Sequence, residues 1–114
     1  MSSDETRPEP ATVDPGAPPI IFEAIVKQLC VAATYNRTEI TLAPHILYTR
    51  HGEMYVDAVT LDRDGRPPKE VKVGAFKLAG LNPLRLTARR FELSELFQPK
   101  DPKYRDVTLL AIGS

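Results

Sequence analysis

Residues 54–61, MYVDAVTL, read as a strand that is apolar on both faces: Met54, Val56 and Ala58 fall on one side, Tyr55, Val59 and Leu61 on the other. Such a strand needs cover on both sides, so a one-layer sheet with a wet face is excluded. With the preceding HILYTR it forms a hairpin whose strands meet at Arg50-His51-Gly52-Glu53, where glycine supplies the positive φ a tight turn often requires. Asp57 stands among the apolar residues of this strand, which raises the question of whether the stretch is an ordinary central strand or carries a ligand-sensing signature.

The flanking sequence predicts what does the covering. PPIIFEAIVKQLC predicts one helix of about three turns, with proline tolerated in its first turn; Ile21, Ala24, Ile25 and Leu29 share a face that Phe22 and Val26 widen. VAATY then sets Val31, Ala33 and Tyr35 on one side, and EITLAP sets Ile40, Leu42 and Pro44 in register, the two linked by a tight turn at Asn36-Arg37-Thr38. DRDGRPP makes the next turn. Its Asp62, Asp64 and Gly65 match part of a calcium loop, but the third acidic position and the distal glutamate are missing, and an Asp-Gly turn accounts for it. In KEVKVGAFKLAGL the apolar phase slips between Val71/Val73 and Phe76/Leu78 with Gly74 between them, which predicts a β-bulge. NPLRLTARRFEL gives a further strand, with Leu84 and Leu86 inward and Arg85 and Thr87 outward. SELFQP predicts one helical turn, and VTLLAI, residues 107–112, either a last strand or a docking tail. The expected fold is mainly β, a short N-terminal helix packed on a small antiparallel β-barrel.

A chain of 114 residues, 42% hydrophobic and 26% charged, suits one domain with one core. Residues 1–18 are rich in proline and acid and predict a disordered tail; residues 19–98 predict the barrel domain and 99–114 a C-terminal extension. Fifteen basic and fifteen acidic side chains cancel, which excludes a global field toward nucleic acid or an anionic membrane. The tail carries Asp4, Glu5, Glu9 and Asp14 against Arg7, which leaves the remainder at +3. No apolar run approaches the roughly 20 residues of a membrane span, and no signal-peptide pattern opens the chain, so a cytoplasmic protein is expected. A lone cysteine, Cys30, fits that compartment. The Asn36-Arg37-Thr38 match to a glycosylation pattern has no weight there.

The spacing of Ala24-Ile25, Val31, Ala33 and Tyr35, then Pro44, Gly52 and MYVDAV, resembles the WYL domain family over roughly residues 20–91. In that family a short helix precedes a strand ending in tyrosine, and a proline and a turn glycine precede a Trp-Tyr-Leu triplet. Here the triplet falls on Met54, Tyr55 and Val56, so the tyrosine is kept, the tryptophan is lost and valine replaces leucine. The resemblance implies an SH3-like or Sm-like β-barrel of the kind found beside winged-helix DNA-binding domains in bacterial transcription regulators. It further implies sensing of a nucleotide or nucleic acid through the tyrosine and basic residues on neighbouring strands. Two departures bear on this. The chain has no room for a winged helix, and VKVGAF keeps Lys72 but has Ala75 where the family has a second arginine. The inherited site is therefore expected to be weakened.

The candidate ligand-binding residues are Tyr55, Tyr35, Lys72, Lys77, Arg85 and Arg89, with Arg90 beside them and Tyr48 as a further stacking surface. The commonplace alternatives are a half-buried packing tyrosine and a solvated strand face. No catalytic activity, metal or cofactor is expected. His45 and His51 lie six apart, match no helical zinc pair and read as surface or turn histidines. Cys30 at a helix end reads as a buried small hydrophobe. The partners expected are a nucleotide or single-stranded nucleic acid and a separate regulatory protein. The alternative is an interaction barrel pairing with a partner, or with a second copy as a homodimer, through its edge or the terminal strand.

Overall fold

Pro18 and Pro19 open an eleven-residue helix, α1 (Ala17–Lys27), and their fixed φ suits a first turn whose N–H groups have no intrahelical acceptor. A computed structural model describes residues 14–113, so the expectation of a disordered tail falls largely outside the described residues. Ala17 and Pro18, assigned above to that tail, belong to the helix. Ala17, Ile21, Ala24 and Ile25 form the buried stripe, while Phe22 and Val26, expected to widen it, point outward at 43% and 69% exposure. Gln28 ends the helix in the left-handed conformation, and its backbone N–H caps the carbonyls of Ala24 and Ile25. Leu29 and Cys30, read above as helical, therefore begin the first strand.

Six antiparallel strands follow: β1 (Leu29–Tyr35), β2 (Thr38–Arg50), β3 (Glu53–Arg63), β4 (Val73–Lys77), β5 (Leu84–Arg90) and β6 (Thr108–Ala111). They form one sheet in the order β4-β3-β2-β1-β5, with β6 paired to β2 beside that path. Two-residue turns at Asn36-Arg37, His51-Gly52 and Asp64-Gly65 all have positive φ at both positions, the geometry that matches strand twist. All three turns were expected.

The long strand β2 organises the rest. Its first half pairs with β1 (Val31 opposite Leu42), and its second half pairs with β6 (Leu47 opposite Leu110). Between them Pro44 and Ile46 face Ala58 and Asp57 of β3, so His45 is an extra residue bulged out of the ladder. Proline lacks a ladder donor and is tolerated inside a sheet only at such places. The bulge expected at Gly74 does not form. β4 pairs with β3 in unbroken register from Val73–Val59 to Lys77–Tyr55, and the apparent phase slip arises because Val73 and Phe76 pack on opposite faces.

The helix and sheet enclose an apolar core of Ile21, Ile25, Val31, Ala33, Ile40, Leu42, Leu47, Val56, Ala58 and Phe76. The chain crosses from β4 to β5 through a 3-10 turn, Leu78–Gly80, and Leu78 and Leu81 fill the gap beneath it. No ladder joins β4 to β5, so the sheet curls without closing into the expected barrel. On the opposite face, two smaller clusters hold Cys30, Ala43, Val59 and Phe91, and Ile46, Tyr48, Phe97 and Tyr104. The C-terminal segment supplies that second cover, with VTLLAI resolved as a strand and SELFQP as a single hydrogen-bonded turn (Phe97 N–H to Ser94 O, 3.2 Å). β3 is thus covered on both faces, as its sequence requires. No helix among the described residues is long and apolar enough to cross a membrane.

Candidate ligand-binding site

Alternation along β3 aims Tyr55, Asp57 and Val59 away from α1, and the His45 bulge brings Ile46 and Tyr48 of β2 to the same side. Tyr48 and Tyr55 stand directly opposite each other, their rings stacked at 6.0 Å with 28° between planes. The Tyr48 hydroxyl donates to Asp57 Oδ1 at 2.6 Å. From the C-terminal side, Asp101 accepts the Lys103 N–H at 3.0 Å and caps a 3-10 turn, Pro102–Tyr104. That turn delivers the Tyr104 hydroxyl to Asp57 Oδ2 at 2.5 Å and the Lys103 ammonium to the same oxygen at 2.7 Å. The Asp57 side chain is wholly buried, and each of its oxygens has a partner.

This arrangement explains an acid inside an apolar strand. Removing an ionised carboxylate from water is tolerable only if charge and hydrogen bonds replace the hydration shell. Two phenols and one ammonium do so here. Burial first, then the hydrogen bond to Asp57 and its negative charge, push both the Tyr48 and Tyr104 hydroxyls above the usual phenol range, so both remain donors. The Lys103 ammonium also lies 5.1 Å from the Tyr104 ring centroid and 5.8 Å from that of Tyr48.

Tyr55 is the partly buried aromatic of the cluster, where Tyr48 and Tyr104 are buried. The Arg50 guanidinium sits 5.9 Å from its ring centroid, and Lys77 lies opposite it on β4, ion-paired to Glu53 at 3.3 Å. The site therefore offers an aromatic face, backed by a second ring and bordered by two cations. Of the residues expected from sequence, Tyr55 and Lys77 come together here. Tyr35 does not join them: it ends β1 in the apolar core, edge-on to Phe76 at 5.2 Å, and Gly80 leaves room for its ring, since a Cβ there would come within 3.1 Å of it. Lys72 is exposed in the loop before β4. Arg85 is exposed and pairs with Glu39 at 3.5 Å, and Arg89 pairs with Asp62 at 2.8 Å. The five basic residues do not form one continuous face.

Sequence reading missed three members of the polar network: Asp57 as its hub, and Tyr104 and Lys103 as its distant partners. The signal for the first was present, an acid flanked by Val56 and Ala58; the other two lie more than forty positions away in a proline-rich stretch with no periodicity. His45 also differs from expectation, being buried and not a surface histidine. The Ser94 N–H donates to Nε2 at 3.0 Å, so Nε2 carries no proton and Nδ1 donates to Ala43 O at 2.8 Å. Burial holds its pKa below the usual imidazole value despite the opposing effect of the Ala43 carbonyl. Its ring lies between Phe91 and Phe97, with centroids at 5.1 and 5.3 Å. His51 sits at the exposed turn as expected. Cys30 is buried, and burial pushes its thiol pKa up. Among the described residues, no group of three or more His, Cys, Asp or Glu is placed to hold a metal ion.

Comparison of the chain with protein-family models, with curated proteins and with solved structures gives no match.

Proposed function

We propose that the chain is a non-catalytic binding module of the WYL type, with the SH3-like or Sm-like strand arrangement that resemblance implies, which takes a nucleotide or single-stranded nucleic acid at Tyr55. In this reading it acts in the bacterial cytoplasm and serves transcription regulation or signalling through a separate regulatory protein. The observation that carries the reading is the partly buried Tyr55 ring, stacked on Tyr48, with Arg50 over it and Lys77 across from it. A base can stack on such a ring and its phosphate can reach the two cations. Asp57 then serves as a support that fixes Tyr48 behind Tyr55, because its carboxylate is enclosed and makes no contact with solvent.

Fluorescence anisotropy against nucleotides, cyclic dinucleotides and short single-stranded DNA and RNA at two salt concentrations tests this. Saturable, salt-sensitive binding is expected, lost in Tyr55→Ala and weakened in Lys77→Ala with a smaller salt slope. Binding that is absent, or indifferent to Tyr55→Ala, overturns it.

A second reading, an interaction module pairing with a partner or with itself, is favoured by the outer edges of β4 and β5, which pair with no strand among the described residues. It predicts a mass that rises with concentration in analytical ultracentrifugation and is unaffected by Tyr55→Ala. A constant monomer mass in the presence and absence of candidate partners removes it.

A further inference from the structure

A cleft lies at the far end of the same face, away from Tyr55. On β1 Leu29 and Val31 are two positions apart, but their partners on β5, Arg90 and Leu86, are four apart, so β5 bulges by two residues. Thr87 fixes the bulge: its hydroxyl donates to Cys30 O at 2.7 Å and accepts the Arg89 N–H at 3.2 Å. As a result the adjacent Arg89 and Arg90, which a regular strand would send to opposite faces, both border one cleft of about 280 Å³. Ala43, Val59 and Leu61 give it an apolar floor, and Glu92 shares its rim.

The charges at the rim are unequal in availability. Asp62 holds the Arg89 guanidinium at 2.8 Å. Arg90 is exposed, and no carboxylate among the described residues forms an ion pair with it. Arg89 and Arg90 against Asp62 and Glu92 cancel, so the cation at the mouth of this apolar hollow that no carboxylate holds is Arg90. We propose that this cleft binds a small amphiphilic monocarboxylate, its apolar body on Ala43, Val59 and Leu61 and its carboxylate on the fork of Arg90. A planar guanidinium matches a carboxylate in two parallel hydrogen bonds. A di- or trianion fits less well, because Glu92 repels added charge and Arg89 is already engaged. The volume lies near the lower end of ligand clefts, about 300–1,000 Å³, which selects a short chain or a single ring. This site is independent of the one at Tyr55.

Isothermal titration of the full chain with octanoate, octanol and inorganic phosphate tests the proposal. One saturable site for octanoate is expected, with no heat from octanol or phosphate and with affinity reduced about ten-fold by Arg90→Ala. Arg90 is exposed at a strand end, so that variant keeps the fold, which an unchanged far-UV circular dichroism spectrum checks. Leu61→Gln, which places an amide on the floor, is expected to weaken octanoate as well, and Tyr55→Ala to leave it unchanged. Failure of octanoate to saturate, equal binding of octanol, displacement of octanoate by phosphate, or indifference to Arg90→Ala each overturns the proposal.

Discussion

The two faces of the β2–β3 hairpin are built on different principles. Toward α1, Leu42, Leu47, Val56 and Ala58 meet Ile21, Ile25 and Phe76, and every buried side chain in that cluster is apolar. Toward the C-terminal segment, the apolar clusters are interrupted by the two buried polar residues among those described, Asp57 and His45, each tied to a partner far along the chain. Apolar burial is non-directional, so the first face holds its helix by area and shape. Hydrogen bonds to buried polar atoms are directional and costly to lose, so the second face fixes one docking position for a segment with little regular structure.

The sharpest way to break this contrast is Asp57→Ala, which leaves two phenols and an ammonium without their acceptor. An expected loss of about 3–5 kcal/mol should appear in urea denaturation. Hydrogen exchange should show protection lost first around residues 101–112, while β1 and α1 keep theirs. Uniform loss would mean that the two faces are one cooperative unit. Replacing the network as a set, with Asp57→Leu, Tyr48→Phe and Tyr104→Phe together, should recover much of that loss, because apolar groups of similar shape need no partner.

On the apolar face, Leu42→Ala is expected to cost about 3 kcal/mol from a cavity that the surrounding strands cannot fill. Its signature is the reverse of the previous one, a fall in protection spread over the whole sheet. Tyr104→Phe removes a single hydrogen bond to a charged acceptor and should cost about 1.5 kcal/mol.

His45 gives the comparison a pH axis. Its pKa in the folded chain lies below the 6.5 of an unperturbed imidazole, so between those values the unfolded chain binds a proton that the folded chain does not. Stability from this residue is present above 6.5 and declines as pH falls through 6.5 toward the lowered folded value. Denaturation at pH 7.5 and 5.5 should show that decline, and His45→Gln should flatten it. The smallest effect is expected at the exposed Arg85–Glu39 pair, where Arg85→Ala should change stability by about 0–1 kcal/mol.

How much of this was legible follows from the same contrast. The apolar face was readable because its signal is periodic: Val31, Ala33, Ile40, Leu42, Val56 and Ala58 are where alternation puts them, and the turns carry glycine, asparagine or aspartate. Asp57 could be noticed but not explained, because Lys103 and Tyr104 have no local pattern that aims them at it. The His45 bulge was hidden because one inserted residue inverts parity without altering composition, and the sequence reading divides β2 there, into EITLAP and HILYTR. Tyr55 and Lys77 come together because they face each other across one ladder, whereas Arg85 and Arg89 sit on β5, beyond β2 and β1 in the sheet order, and pair with Glu39 and with Asp62 at the far end of β3.

The long separation of Asp57 from Tyr104 has a consequence for synthesis. The two are 47 positions apart, so at roughly 5–20 residues per second the carboxylate is made about 2–9 s before its last phenol. During that interval the hairpin and its apolar face can assemble with Tyr48 alone on the carboxylate, while water serves the remaining lone pairs. The stretch that dries the acid thus follows the hairpin by tens of residues, and a chain cut short before Lys103 would keep a hydrated wound beside a sheet that also lacks β6.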